Sequence, residues 1–595
     1  MAMTQAQYAA IDAHIRQGRH AEARAALQRV LAKGPDTTAD LMMAFVLTER
    51  REHQQALFYA ERAAAAAPTD PNARMSAARA LVGLRRLDEA AAAYRAAANL
   101  VPNDPAPVVG LAFILHERAR FAEAERLCRA AIARNPDDFG LSLNLAISLH
   151  NLGLAREAVA ILRRALARHP GNPMVAAALA LFTSYAGGLS QQEVLEAHTA
   201  FAATLPAPPS PPPPFPNSRE PRRRLRLGFV SADLRRHAVT IFLEPLLREI
   251  DPAAIDPVMF SNTVAEDDVT ARLRALVPAW KSVVGMSDAD VASLVRRERV
   301  DALVDLSGLT PGHRLGAFKL RCAPLQCTWL GYVNTTGLRE IDYRIVDSSA
   351  GPPGAEAFAS ESLLRLDPLY LCYQPFAEAP PVAPLPALAP DSAGITFGSF
   401  NNLSKLDDDC IALWSRLLHA VPCSRLILTH LAFADPEVAA YVEPRFAAHG
   451  IAADRLILLK PPPTLRQVYE QYSRVDIALD TLPFGGATTT CDALYHGVPV
   501  LALEGDRFAS RQAASIIRAA GLPDLIARDA EHFLEIGRRL AADLPALAAL
   551  RAGLRARLLA SPVCDAPGFA RRFEACIREA WARWCAGNSG PAPRP

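Results

Sequence analysis

Two patterns of apolar and polar positions divide the chain near residue 205. Before that point the sequence is Ala-rich, and its apolar residues recur at the spacing of amphipathic helices. Beyond residue 220 short apolar runs such as "RLRLGFVSAD" and "VDALVDLSG" alternate with amphipathic segments. Buried strands that alternate with helices are typical of parallel sheets covered on both faces. The sequence therefore predicts a helical region followed by an α/β region.

The helical region contains an internal repeat. Its prolines lie 33, 34, 34 and 34 residues apart, and three sets of alanines keep a spacing of 34. This is the period of the tetratricopeptide repeat, in which small residues allow two helices to approach and a proline ends the second helix. We predict five repeats over residues 3–172 and a degenerate helical pair or cap up to residue 205. The prolines are Pro35, Pro68, Pro102, Pro136 and Pro170.

A solenoid of helix pairs offers a concave groove, which usually holds a protein or a peptide. Many proteins of this architecture carry an asparagine two places before the small residue of each first helix. Here those places hold Met42, Ser76, Gly110 and Asn144. With one asparagine of four, a regular ladder that grips a peptide backbone is not expected.

A proline-rich segment and the grouping of the strands give the predicted domain boundaries. The segment "PAPPSPPPPFPNS" predicts an extended linker over residues 206–220, after a solenoid and cap over residues 1–205. The later strands form two groups, which predict two Rossmann-like lobes, residues 221–380 and 381–587, and a flexible tail, residues 588–595. Open parallel sheets bind ligands beyond the carboxyl ends of their strands, so a cleft between the lobes is the expected site.

Composition limits the partners. The net charge is +2, from 64 Lys and Arg against 62 Asp and Glu. A chain so close to neutral has no overall positive potential that would attract nucleic acid or an anionic membrane. The ten cysteines show no metal-ligand spacing, and no secretory signal or membrane span is evident. We expect a soluble cytoplasmic protein with free thiols and no bound metal.

The stretch "FGGATTTCDALYHG", residues 484–497, is the first candidate for chemistry. It follows one apolar run and precedes another, where a strand ends and a helix begins. Backbone N–H groups face outward there, and glycine lets a phosphate approach them, so one hypothesis is a phosphate cradle. The alternative is an ordinary helix with one threonine as its N-cap.

Two further clusters follow predicted strands. His237 lies in "FVSADLRRHAVTIF", where a loop imidazole can act as a general base. Asn401, Asn402 and Lys405 lie in "FGSFNNLSKLDDD", where an ammonium could neutralise a leaving diphosphate. A structural histidine and a surface lysine are the alternatives when each cluster is taken alone.

Taken together, the clusters resemble a known family. Tetratricopeptide repeats followed by "LGFVSAD…H", "APLQCTWLGYVNTTGLREIDYRIVD", "TFGSFNNLSKL" and "DIALDTLPFGGATTTCDALYHGVPV" are similar to the O-linked N-acetylglucosamine transferase/SPINDLY family, glycosyltransferase family 41. The resemblance implies a GT-B fold and inverting, metal-independent transfer of a sugar from a nucleotide donor to Ser or Thr of proteins.

The resemblance also assigns roles to residues. His237 falls on the active-site histidine, and Lys405 on the lysine that stabilises the departing diphosphate. The remaining predicted donor-binding side chains are a neighbouring polar contact, the hydroxyls of the threonine stretch for phosphate, and an acid for the ribose. They are Asn402, Thr488, Thr489, Thr490 and Asp492.

Donor and acceptor stay open at this level. The donor alternatives are UDP-N-acetylglucosamine, GDP-fucose and a CMP-linked nonulosonic acid, because the threonine stretch is nearer the SPINDLY branch. The Ala/Arg/Pro-rich composition suits a GC-rich bacterium, in which relatives of this layout glycosylate flagellin, so flagellin is the favoured acceptor. The other hypotheses are an inactive repeat scaffold that binds nucleotide, and a transferase acting on lipid or glycan.

Overall fold

The computed structural model describes residues 3–208, 214–376 and 378–587. Its first twelve helices form the helical region, and none of the described residues of the predicted linker is in a helix or strand. The predicted tail, residues 588–595, lies outside the described residues. The helices are α1 Gln5–Arg16, α2 His20–Leu31, α3 Thr37–Glu49, α4 His53–Ala66, α5 Pro71–Gly83, α6 Leu87–Leu100, α7 Ala106–Glu117, α8 Phe121–Ile132, α9 Phe139–Asn151, α10 Ala155–Arg168, α11 Pro173–Thr183 and α12 Gln191–Thr204.

The chain divides into two compact units, Met1–Leu152 and Gly153–Pro595. In the first unit, successive helices from α1 to α9 pack on one another as the repeat predicts. The alanines at the 34-residue spacing are buried between them, because only a small side chain fits where two helices meet. These are Ala44, Ala78, Ala112 and Ala146, with Ala56, Ala90 and Ala124 in the partner helices.

The second unit carries the α/β region. Its strands are β1 Leu225–Ser231, β2 Ile255–Ser261, β3 Ala279–Ser282, β4 Ala302–Asp305, β5 Leu325–Thr328, β6 Tyr343–Val346, β7 Ser362–Arg365, β8 Thr396–Ser399, β9 Arg425–Thr429, β10 Leu456–Leu459, β11 Ile477–Leu479, β12 Val500–Leu503 and β13 Ile526–Ala527. Its remaining α-helices are α13 Ala238–Glu249, α14 Asp268–Leu276, α15 Asp288–Arg297, α16 Leu315–Lys319, α17 Asp408–Ala420, α18 Ala439–Ala447, α19 Leu465–Glu470, α20 Thr488–Tyr495, α21 Phe508–Ala519, α22 Ala530–Ala542, α23 Leu544–Leu559 and α24 Ala566–Cys585.

These strands form two parallel sheets, one in each lobe. The order in the first is β3-β2-β1-β4-β5-β6-β7, and in the second β10-β9-β8-β11-β12-β13. The strand order changes direction once in each sheet. The change falls between β1 and β4 in the first sheet and between β8 and β11 in the second. Such switch points leave a crevice at the carboxyl ends of the strands, where ligands bind. The predicted solenoid followed by two Rossmann-like lobes in a GT-B arrangement is confirmed.

The helical pair α11–α12, predicted as a solenoid cap, also packs against the first lobe. Ala180 and Phe201 share one apolar core with Val230 of β1 and Phe260 of β2. The ring Nε2 of His198 lies 2.6 Å from the hydroxyl of Tyr332 in the first lobe. Residues 153–205 therefore belong to the compact unit of the α/β region, because their apolar side chains are buried against its first sheet.

The last helix also differs from its predicted place in the second lobe. Helix α24 packs against α13 and β5 of the first lobe. The ring of Phe573 lies 5.0 Å from that of Trp329, which directly follows β5. An aromatic face at helical spacing, Phe569, Phe573 and Trp581, is buried there. The chain thus returns to the first lobe, a long-range pairing that helical periodicity alone does not reveal.

Candidate active site

A cavity of about 290 Å³ lies between the two lobes. Its first-lobe wall includes His237 and Ala238 at the start of α13, together with Leu330 and Tyr370. Its second-lobe wall comes from the segments that follow β8 and β11, the two strands at the switch point, and from α21. That wall includes Asn401, Asn402, Lys405, Phe484, Ala487, Thr488, Thr489 and Gln512. Five of the predicted site residues therefore line one cavity, although they are spread over about 250 positions of the chain.

Lys405 ends a short 3₁₀ turn, Leu403–Lys405, that follows β8. Its Nζ donates a hydrogen bond of 2.9 Å to the carbonyl oxygen of Gly485 and lies 4.4 Å from the ring centre of Phe484. Burial lowers the pKa of Lys405 to about 8, and the charge of Asp480 opposes this shift. No carboxylate of the described residues lies within ion-pair distance of Nζ. The ammonium is therefore available to an anion in the cavity.

The threonine stretch begins helix α20, and its N-cap is Ala487, which offers no side-chain cap. The alternative of an ordinary threonine-capped helix is therefore wrong. The Thr488 hydroxyl has no hydrogen-bond partner among the described residues, and Thr489 Oγ1 donates to Asn401 Oδ1 at 2.9 Å. The first N–H groups of the helix are left for an anion, as an uncapped N-terminus favours.

The glycines before α20 are required by close approach. A Cβ on Gly486 would lie 2.3 Å from Thr489 Oγ1, and one on Gly485 would lie 2.7 Å from Asp480 Oδ2. Asp480 Oδ1 in turn accepts from the N–H of Gly486 at 2.6 Å. The buried carboxylate of Asp480 thus fixes the turn, and burial raises its pKa.

His237 is the N-cap of α13, and its Nδ1 accepts a hydrogen bond of 3.3 Å from the N–H of Val239. Loss of hydration lowers the pKa of His237, while the carboxylate of Asp233 opposes the shift. The ring is therefore neutral at pH 7, with its proton on Nε2, since Nδ1 serves as the acceptor. In this tautomer Nε2 is a donor, and Nδ1 can take a proton only by giving up the cap.

Thr490 and Asp492 are not among the residues that line this cavity. Thr490 is 2% exposed, and its hydroxyl donates to the carbonyl oxygen of Gly486. Asp492 is 8% exposed and accepts from the hydroxyl of Tyr373 at 2.5 Å. Burial raises the pKa of Asp492 to about 7. Both side chains lie on the face of α20 that packs into the lobe, and Thr490 lines a smaller cavity there together with Asn401 and Thr489.

Two residues, one in the cavity wall and one packed against that wall, carried no signal in the sequence. Gln512, on α21, accepts from the hydroxyl of Tyr370 at 3.2 Å and so joins the two walls. Tyr185, between α11 and α12, stacks on Phe484 with ring centres 4.4 Å apart. Tyr185 belongs to the predicted cap, and Gln512 to a helix of the second lobe for which no role in the site was predicted. For Asp480, which fixes the glycine turn, the sequence did carry a signal. It ends the apolar run "DIALD", which places it at the carboxyl end of a predicted strand.

Two other classes of site are absent from the described residues. No helix within the described ranges is long and apolar enough to span a membrane. Within the same ranges, no three His, Cys, Asp or Glu side chains come together as a metal-binding group.

Two Rossmann-like lobes that enclose a lysine and an uncapped helix N-terminus define the GT-B class of sugar-nucleotide transferase folds. The chain belongs to glycosyl transferase family 41, whose model matches residues 210–371 and 387–573. Tetratricopeptide-repeat models match residues 3–38, 41–105 and 115–182. The resemblance derived from the motifs is confirmed.

Named relatives agree with this placement. The chain is 39% identical over 376 residues to a protein of Solanum lycopersicum named "Probable UDP-N-acetylglucosamine--peptide N-acetylglucosaminyltransferase SPINDLY", a match that covers 62% of this chain and 40% of the relative. It is 28% identical over 385 residues to the SEC protein of Arabidopsis thaliana, covering 62% of this chain and 38% of the relative. The match thus spans well under half the length of these relatives.

A solved structure gives the wider likeness. A mutant of the O-GlcNAc transferase of Thermobaculum terrenum superposes with a TM-score of 0.81 at 34% identity, over 88% of this chain and 99% of that one. The similarity therefore extends from the helical region through both lobes.

Proposed function

We propose that the chain is a protein O-glycosyltransferase that moves a sugar from a nucleotide donor to a Ser or Thr hydroxyl of a protein held by the repeats. The observation that carries the proposal is the convergence of Lys405, the uncapped start of α20 and His237 on one cavity. This set supplies positive charge for a diphosphate on one wall and an imidazole on the other.

The donor diphosphate binds at the second-lobe wall. Lys405 presents an ammonium, Thr488 a free hydroxyl, and the first turn of α20 its backbone N–H groups. These donors are directed at the place where negative charge develops as the diphosphate leaves, which is the main electrostatic contribution to such a transfer. They take the part that a cation has in metal-dependent transferases, so we propose a metal-independent reaction.

The transfer inverts the anomeric centre. The acceptor oxygen forms its bond to the anomeric carbon on the face opposite the leaving diphosphate, whose bond to that carbon breaks, and the hydroxyl proton passes to a base. His237 lies on the wall facing Lys405 and Thr488 across the cavity. Its neutral ring orients the reacting groups through Nε2 and accepts the proton at Nδ1 when the contact to Val239 opens.

Three donors remain in the proposal, and the names of the relatives favour UDP-N-acetylglucosamine among them. GDP-fucose and a CMP-linked nonulosonic acid are the alternatives. For the acceptor we propose a flagellin. Support for it comes from the Ala/Arg/Pro-rich composition and from the likeness to a bacterial O-GlcNAc transferase.

Binding of UDP, GDP and CMP to the purified chain, measured by calorimetry in the presence of EDTA, tests the donor site. We expect one nucleotide to bind with a Kd of about 1 to 100 μM and to weaken at least about tenfold in Lys405→Met. Lys319→Met is the matched control, because Lys319 pairs with Glu340 outside the cavity. No binding of any of the three would overturn the proposal in favour of an inactive scaffold.

Transfer is measured next, with the matching labelled nucleotide sugar and a purified flagellin. Label on flagellin that is lost in Lys405→Met supports the full proposal. Nucleotide binding without transfer to flagellin would refute that acceptor while leaving the donor site in place.

A further inference from the structure

A second, smaller cavity of about 20 Å³ lies behind Phe508, the first residue of α21. Its lining comes from three parts of the unit: α12 with Gln191, the first lobe with Asn334 and Arg344, and the second lobe with Arg507 and Phe508. It is separate from the active-site cavity. The Phe508 ring lies 5.3 Å from the ring of Tyr370, which lines the larger cavity on the other side.

Arg344, on β6, is a buried cation without an anionic partner in contact. Arg344 is 4% exposed, and its guanidinium lies 4.9 Å from the ring centre of Phe508. Its Nε has no hydrogen-bond partner, and no ion pair of Arg344 occurs among the described residues. A buried charge without hydrogen-bonding partners is costly, so an occupant of the cavity is expected.

Nearby carboxylates do not fill this role. Glu361 is the acid whose charge acts on Arg344, but its oxygens accept from the Thr335 and Thr336 hydroxyls and from the N–H of Thr336. Asp506 is exposed at the cavity and lies 3.6 Å from Nε of Arg507. Among the residues that line the cavity itself, two arginines therefore face one carboxylate.

Arg507 adds to this charge while its two terminal nitrogens are occupied. It is 8% exposed, and its guanidinium donates to the carbonyl oxygens of Thr183, Ala186 and Leu189 in the α11–α12 connection. Asn334 Nδ2 donates to the Ser184 hydroxyl at 3.0 Å and retains a second N–H. The wall thus combines an unpaired guanidinium, a second positive charge, an amide and an aromatic ring.

We propose that this cavity binds a monovalent anion of the size of chloride on the guanidinium of Arg344. A volume of about 20 Å³ admits one water or one small ion, because a single water needs roughly 10–15 Å³ by the same measure. A phosphate or a nucleotide is too large for it. The ion joins the helical pair, the first lobe and the second lobe at one point, so its binding stabilises their packing.

Thermal unfolding of the full chain in chloride, compared with gluconate at equal ionic strength, tests the site. Gluconate is too large for the cavity, and because the two anions also differ in their general salt effect on stability, occupancy is the part of the difference that the cavity variants lose. We expect saturating chloride to raise Tm by about 1 to 2 °C relative to gluconate. Bromide should act in the same way, and crystals soaked in bromide should show an anomalous peak beside Arg344.

Two variants make the test specific. Arg344→Met removes the guanidinium that binds the anion. Ala355→Leu fills the cavity while keeping Arg344. Both variants should therefore abolish the site's contribution to the Tm difference between chloride and gluconate. Arg425→Gln is the control: it removes an exposed arginine at the start of β9, in the other sheet and outside this cavity, and it should keep the response. Equal Tm in the two salts for the parent chain, or a full chloride response in both cavity variants, would overturn the proposal. Ala355→Leu carries the test alone if Arg344→Met does not fold.

Discussion

Lys405 Nζ donates a hydrogen bond of 2.9 Å to the carbonyl oxygen of Gly485. This contact joins the loop after β8 to the glycine turn that precedes α20, the two segments on either side of the second-lobe switch point. The ammonium keeps further N–H groups for a ligand, since lysine has three donors. One side chain therefore holds the turn and offers charge to the cavity.

The charge of Lys405 makes nucleotide binding pH-dependent. Burial lowers the pKa of Lys405 to about 8, so the cation is lost from the free protein at a lower pH than for an exposed lysine. Affinity for a nucleoside diphosphate should therefore fall as the pH rises through about 8. Calorimetric titration across this range measures the fall.

Lys405→Arg is the control for this pH dependence. An arginine stays protonated throughout the range, so its affinity curve should be flat even if the affinity itself is lower. If the two proteins show the same decline with pH, another group is responsible.

The cap and the chemistry of His237 can be separated by substitution. His237→Asn places an amide oxygen where Nδ1 accepts from Val239, so it keeps the cap of α13 and removes the ring. His237→Ala removes both. We expect both variants to lose about 10²-fold or more in kcat, but only His237→Ala to lose about 1 kcal/mol of unfolding free energy. Turnover and urea unfolding, measured in parallel, resolve the two effects; full activity in His237→Asn would exclude a role for the imidazole.

The contact between Thr489 and Asn401 predicts an effect on nucleotide binding. Thr489→Val removes the hydrogen bond that joins the loop after β8 to the start of α20. We expect about a tenfold loss of nucleotide affinity, the size of one hydrogen bond to an ordered site. The comparison is Thr490→Val, one position along, whose hydroxyl donates to Gly486 inside the lobe. That variant should change stability more than affinity, and a larger affinity loss in Thr490→Val would contradict this account.

Gly110 shows why the repeat groove departs from an asparagine ladder. A Cβ on Gly110 would lie 2.4 Å from the ring of Tyr94, so no larger residue fits at this place on α7. Asn144, at the equivalent place on α9, donates its amide to the carbonyl oxygen of Gly140 in its own helix. At these two repeats the ladder position therefore holds a glycine and an asparagine that already donates one N–H within its own helix.

Gly110→Ala should destabilise the repeats by about 1 to 3 kcal/mol through overpacking. Gly553→Ala in α23 is the matched substitution, because no atom lies within 4 Å of its added Cβ and the helix gains propensity. Calorimetric unfolding of both variants checks the difference. Equal stability of the two proteins would show that Tyr94 can move aside.

The sequence by itself determined the elements whose signal is local. The 34-residue spacing predicts helix pairs because the same small positions must be buried in every repeat, as Ala44 and Ala112 are. The loops after β1, β8 and β11 were predictable as site loops because parallel strands present their carboxyl ends at one edge. His237, Lys405 and Thr488 follow from that rule and from the family motifs.

Only the tertiary structure decided where distant segments meet. Packing of α24 on the first lobe, the stacking of Tyr185 on Phe484 and the inward turn of Asp492 depend on contacts between residues far apart in the chain. Periodicity shows which face of a helix is apolar, but not which of several apolar surfaces it covers. Burial of Arg344 without a paired carboxylate is likewise a property of the packed lobes, since one arginine in a strand looks like any other until its neighbours are placed.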